Sequence, residues 1–224
     1  QVVGGEALVR WIKPDGSMVF PGDIIPIFEK SGDIITLDYF VYKEVCRYLR
    51  ARIDAGLGIV PISVNVSTLH LKDDGIMVYL DKLLAEYNIP SQYFELELTE
   101  NVYIDDVSKA LKLLQWCKER GIRMAMDDFG SGYSSLNILD EVPIDVMKID
   151  RSFLKNQSLT DNDKIILSCV INMAGRLAIT TVCEGVENAE QLAFLCSAGC
   201  DVIQGFYIGR PMPMIAFDKF LEEH

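Results

Sequence analysis

Short apolar runs and longer stretches with a helical period take turns along this chain from end to end. Val2–Trp11 alternates well enough for a strand, Pro14-Asp-Gly marks a turn, and Phe20-Pro-Gly-Asp opens a loop. Ile34 to about Arg52 has a helical period, with Leu37, Phe40, Val41, Val45 and Leu49 on its apolar side. Ile59–Val66 predicts a strand, and a helix is expected from Ser67 or Thr68 to Tyr87. Tyr93–Leu98 predicts the next strand. Val102–Arg120 is the clearest amphipathic helix, with Gly121 placed as a C-terminal stop. Further strands are predicted at Ile122–Met126, Ile144–Ile149, Ala178–Cys183 and Asp201–Gln204. Helices are predicted at Thr160–Arg176, Asn188–Ala198 and Met214–Glu223.

Repeated βα units of this spacing build either a doubly wound sheet or a (β/α) barrel. Ligand-type residues recur at the carboxyl ends of successive strands: Asn65, Glu97, Asp127 with Asp128, Lys148, Glu184 and Gln204. In a barrel all such ends meet on one face, whereas in an open sheet only those near the switch point do. The recurrence therefore favours the barrel.

The chain has 224 residues, half of them apolar, enough for one substantial α/β core. A net charge of −12 argues against binding long nucleic acid through a basic face, but leaves room for a small anion beside bound cations. No run of eighteen apolar residues occurs and no signal peptide opens the chain, which starts in mid-pattern and reads as a domain of something longer. Its six cysteines lie in apolar or amphipathic segments without a CxxC pair, so they read as reduced core residues of a cytoplasmic domain. Trp11, Trp116 and the methionines read as core as well. With only His70 and His224 present, a His-rich zinc site is excluded and any metal must be held by oxygen, which favours Mg²⁺ or Mn²⁺.

Asp127 and Asp128 end a buried strand, where two adjacent carboxylates lose hydration and repel each other unless a cation or protons intervene. Placed on one rim with Glu6, Asn65 and Glu97, they could hold two hard cations. Ions about 3.5–4 Å apart promote in-line phosphoryl displacement by water. Lys148 could orient or deprotonate that water or neutralise a phosphate, Glu184 could be a ligand or a base, and Arg10 could take a phosphate oxygen. The glycines of Phe129–Ser135 suggest a mobile loop, since no lysine follows in phosphate-loop spacing.

Seven stretches, in order, resemble the EAL-domain family: GEALVRW at 5–11, SVNVS at 63–67, ELTE at 97–100, DDFGSGYSSL at 127–136, KID at 148–150, EGVE at 184–187 and QGF at 204–206. The resemblance implies an α/β fold, a modified TIM (β/α) barrel whose first, antiparallel strand would precede Gln1. It implies hydrolysis of cyclic di-GMP to linear pGpG with two Mg²⁺ or Mn²⁺ ions. The metal ligands would be Glu6, Asn65, Glu97 and Asp127 for one ion, and Asp127, Asp128 and Glu184 for the other. Lys148 matches the family's water-activating lysine, and Glu100 its glutamate that steadies the loop Phe129–Ser135. Leu8, Arg10, Pro21 and Gln204 match substrate-binding positions, with Asp150 and Glu187 as weaker matches. Cys183 and Ile24 depart from the usual residues without touching a ligand. A homodimer through the 129–135 loop is also implied, while attached sensor or GGDEF-type domains and a membrane anchor elsewhere in the full-length protein are left open. The alternatives are a non-catalytic cyclic di-GMP receptor and a dimerisation module regulating an attached domain.

Overall fold

A computed structural model describes residues 1–72, 74–105, 107–131, 138–154 and 159–224. In chain order the elements are β1 (Gly5–Glu6), β2 (Trp11–Ile12), β3 (Met18–Val19), α1 (Pro21–Ser31), α2 (Ile34–Asp54), β4 (Ile62–Asn65), α3 (Gly75–Tyr87), β5 (Phe94–Thr99), α4 (Glu100–Asp105) and α5 (Val107–Arg120). They continue with β6 (Arg123–Phe129), α6 (Ile138–Glu141), β7 (Val146–Ile149), α7 (Asp161–Arg176), β8 (Thr180–Cys183), α8 (Ala189–Ala198), β9 (Val202–Ile203) and α9 (Met214–Glu223). Two compact units result, Gln1–Glu97 with Ser108–Ile122, and Leu98–Val107 with Arg123–His224.

In the first unit β1 pairs with β4 and β4 with β5, all parallel, in a register that sets Asn65 beside Glu97. The expected Val2–Trp11 strand reduces to Gly5–Glu6, and Trp11–Ile12 turns away to pair antiparallel with β3 around Pro14-Asp-Gly16. That hairpin leaves Trp11 45% exposed rather than in the core, with its ring against Phe28. Helix α1 is absent from the expected elements, because Phe20-Pro-Gly-Asp reads as the opening of a loop. Pro21, however, occupies the first helical turn, where a missing amide hydrogen costs nothing, and Gly32 closes the helix in a left-handed conformation. The buried stripe of α2 is Ile34, Asp38, Tyr42, Val45, Cys46, Leu49 and Arg52, which includes the expected Val45 and Leu49, while Leu37 and Val41 are half-buried and Phe40 points to solvent. The helix expected from residue 67 or 68 is divided into a 3₁₀ turn, Thr68–Lys72, and α3.

The second unit orders its parallel strands β6-β7-β8-β9. Burial is continuous along β7, as strands covered on both faces require. Helix α7 opens with a capping box, in which Thr160 Oγ1 accepts from the Asp163 amide and Asp163 accepts from the Thr160 amide. Asn188 caps α8 by accepting from the Gln191 amide. The helix expected over Val102–Arg120 is helical on both sides of residue 106, which lies outside the described residues: α4 up to Asp105 and α5 from Val107.

All six cysteines are free, but only three fit the expected core: Cys46, Cys117 and Cys183 are buried, while Cys169 and Cys196 are exposed. Met18 and Met214 are exposed too. Burial pushes the Cys46 thiol up to about 12 and raises that of Cys183 as well. At pH 8 the native protein should therefore alkylate at Cys169 and Cys196, with Cys46 slower by about 1,000-fold or more from its scarce thiolate alone. Peptide mapping of the label checks this. Between the ordinary thiol range and about 12, rising pH ionises Cys46 in the unfolded chain first, so stability should fall there.

Candidate functional site

In the second unit the acids are brought together by a defect in the sheet. Met126 pairs with Met147 and Phe129 with Ile149, so Asp127 and Asp128 together oppose the single residue Lys148. Two residues against one is a β-bulge, and it removes the strict alternation that would send neighbouring side chains to opposite faces. Asp128 takes the strain, with φ at 56°, a left-handed value uncommon outside glycine and asparagine. Next along the sheet, the Glu184 amide donates to the Ile149 carbonyl at 3.0 Å, which sets Glu184 just past the end of β8.

One oxygen each of Asp127, Asp128 and Glu184 lies within 4.8 Å of the other two, the spacing of a metal-ligand set. Lys148, only 3% exposed, reaches Glu184 Oε1 at 2.8 Å and Asp127 Oδ1 at 3.1 Å. The second contact is close but poorly aligned, and Asp127 Oδ1 is buried without a hydrogen bond. A buried carboxylate oxygen left in that state, next to two more acids, suits a hard divalent cation. The acidic cluster could thus hold a divalent metal.

Around the cluster the turns are fixed by short backbone contacts. The Gln204 amide donates to Cys183 O at 2.9 Å, and Val186 donates to Gln204 O at 3.1 Å. Gly205 follows because any side chain there would collide with the Val186 backbone. Glu100, buried at the β5–α4 junction, accepts from the Gly130 amide at 3.1 Å through Oε2. Of the loop 129–135, only residues 129–131 are among those described, so the expected dimer contact falls largely outside the described residues. Asp150 turns its Oδ1 onto the Ser152 amide at 2.9 Å, a local capping role, and Glu187 is exposed.

In the first unit Glu6 ends β1, Asn65 ends β4 and Glu97 lies beside Asn65 on β5. Asn65 Nδ2 donates to Glu6 Oε1 at 3.3 Å, and Glu97 is only 2% exposed. Leu8 is exposed, Pro21 half-buried, and Arg10 donates to its neighbour's carbonyl, Val9 O, at 2.8 Å. Sequence reasoning misses Tyr42 and Asp38, which bond the backbone at Asn65 and Ser67, and His70, whose ring meets Asp38. The available signal is the spacing of Asp38 between Ile34 and Tyr42 on the buried stripe of α2.

Parallel strands joined by helices, with acids at strand ends, define an α/β domain of the TIM-barrel-like class. The chain belongs to the EAL domain family, whose description it matches over residues 1–211. It is 34% identical over 223 residues to the signaling protein YkoW of Bacillus subtilis, covering 100% of this chain and 28% of that protein. It is 35% identical over 219 residues to the cyclic di-GMP phosphodiesterase NbdA of Pseudomonas aeruginosa, covering 98% of this chain and 28% of that one. The chain thus spans less than a third of these curated relatives. Among solved structures, the PaMucR phosphodiesterase in complex with c-di-GMP matches with a TM-score of 0.88 at 34% identity, over 95% of this chain and 86% of that one. No helix among the described residues is long and apolar enough to cross a membrane.

Proposed function

We infer that this chain is a divalent-metal-dependent phosphodiesterase that opens cyclic di-GMP to linear pGpG. The observation that carries the reading is the buried Lys148 held between Asp127 and Glu184, with Asp128 on the same bulge. Membership of the EAL family and the named activity of NbdA supply the substrate. We assign Asp127, Asp128 and Glu184 as ligands, together with Glu6, Asn65 and Glu97, and Mg²⁺ or Mn²⁺ as the ions.

Bound divalent ions would lower the pKa of water and stabilise charge on the displaced phosphodiester. Lys148 has two roles in sequence. Before loading, its ammonium neutralises Asp127 and Glu184. Held at 2.8 Å by Glu184 Oε1, it is also the group assigned to orient the attacking water or take its proton. The water oxygen bonds to phosphorus, the P–O bond to one ribose 3′ oxygen breaks, that oxygen takes a proton from solvent to become the free 3′ hydroxyl, and the ring opens to leave a 5′ phosphate. Glu100 holds the Gly130 amide so that the turn after Asp128 does not drift. Gln204, Leu8, Arg10 and Pro21 are assigned to the dinucleotide, with Asp150 and Glu187 at its margin. Arg10 must first release the Val9 carbonyl. Cytoplasmic location, attached signalling domains and a homodimer through residues 129–135 belong to the same reading.

Incubation of the folded protein with cyclic di-GMP and Mn²⁺, followed by chromatography, should give pGpG. Tight binding without product would instead assign a receptor.

A further inference from the structure

We propose that Asp38, Tyr42 and His70 form a positioning brace that fixes Asn65, and with it the Glu6 carboxylate, for ion binding. The proposal rests on the assignment of Glu6, Asn65 and Glu97 as ligands made above.

Asp38 and Tyr42 stand one turn apart on α2, and both are buried. The Tyr42 hydroxyl donates to the Asn65 carbonyl at 3.1 Å. Asp38 Oδ2 accepts from the Ser67 amide at 3.2 Å and meets His70 Nε2 at 3.0 Å. Between them, the Val66 amide donates to Glu97 O at 2.9 Å. Three consecutive residues thus each have a main-chain group gripped, two of them by side chains from a helix far away in sequence. The segment so held begins with the residue whose side chain meets Glu6 Oε1 at 3.3 Å.

His70 is itself immobilised. Its own amide donates to Ser67 O at 3.0 Å, and its ring lies 5.2 Å from that of Tyr39, which stacks on Tyr79 at 3.8 Å. A carboxylate on the buried stripe of α2, facing a buried imidazole from the 3₁₀ turn Thr68–Lys72, costs desolvation that apolar residues would avoid. What they supply is direction. Ion–oxygen distances tolerate only a few tenths of an ångström, so a backbone free to shift at Asn65 would spoil coordination without unfolding the domain.

The test is Mn²⁺ affinity by electron paramagnetic resonance, alongside kcat and KM for cyclic di-GMP and hydrogen exchange at Val66 and Ser67. In His70→Ala and Tyr42→Phe, Mn²⁺ affinity and kcat should fall by about 10-fold, as for groups that orient ligands. KM should stay within about twofold, and amide exchange at Ser67 should quicken in His70→Ala. His70→Gln, whose amide can still donate to Asp38, should recover most of both losses. Should His70→Ala not fold, Tyr42→Phe, which removes one hydroxyl, is the deciding variant. If wild type binds Mn²⁺ and turns over, and folded variants match it in affinity and kcat, the brace is overturned and the proposed function stands. A melting-temperature loss without a change in Mn²⁺ affinity overturns it equally. A wild type that binds no Mn²⁺ removes both readings.

Discussion

Asp127→Asn should lower cyclic di-GMP turnover by more than about 100-fold while leaving the metal-free protein at least as stable as the wild type. The two effects have one cause. Asp127 Oδ1 is buried, lies 3.1 Å from Lys148 at an angle too poor for a hydrogen bond, and shares its surroundings with Asp128 and Glu184. Without an ion, three carboxylates facing one ammonium leave excess negative charge, and neutralising one relieves it. With an ion, the amide has the right shape but lacks the charge that holds a dication. Steady-state kinetics in Mn²⁺ and thermal melting in EDTA provide the two measurements. A variant that keeps wild-type turnover would remove Asp127 from the ligand set.

Lys148→Met should do the reverse to the metal-free protein, lowering its stability by about 3–5 kcal/mol. Methionine is an unbranched side chain of similar length, so the loss is electrostatic rather than a cavity. What remains is a cluster of acids, Asp127 buried and Asp128 and Glu184 half-buried, with no cation from the bulge's partner strand. Excess Mn²⁺ should restore much of that stability, because an ion takes over the missing positive charge. Turnover should stay low even with the ion present, by about 100-fold or more, because methionine cannot carry a proton. Denaturant melts with and without Mn²⁺ would decide the matter: a variant whose deficit ignores the metal would uncouple Lys148 from the cluster.

Much of this fold can be read from sequence because its elements advertise themselves locally. Helices α7 and α8 begin at Thr160 and Asn188, whose side chains accept the first free amides, and Gly121 and Gly199 stop their helices in left-handed conformations. Helix α1 cannot be read, because Pro21 and Pro26 look the same in a loop as in a helix until tertiary packing decides. The acids at strand ends are legible one by one, since polar residues closing apolar runs stand out. The bulge is not. Nothing in Met126-Asp-Asp-Phe129 signals that Asp128 adopts a left-handed backbone, and Asp127–Asp128 opposing Lys148 depends on that choice. Tyr42 and His70 are hidden for a different reason: buried aromatic and imidazole groups ordinarily serve as core, and only their partners' identities reveal a directed role.

The extra residue in β6 also governs how this part of the gene can vary. Exchanges that keep the count of residues between Met126 and Phe129 leave the ladder on either side in step. Deleting a single codon there would straighten the strand, restore alternation and swing one carboxylate into the hydrophobic layer. Length, more than residue identity, is therefore the property that natural variation should guard most strictly at this point.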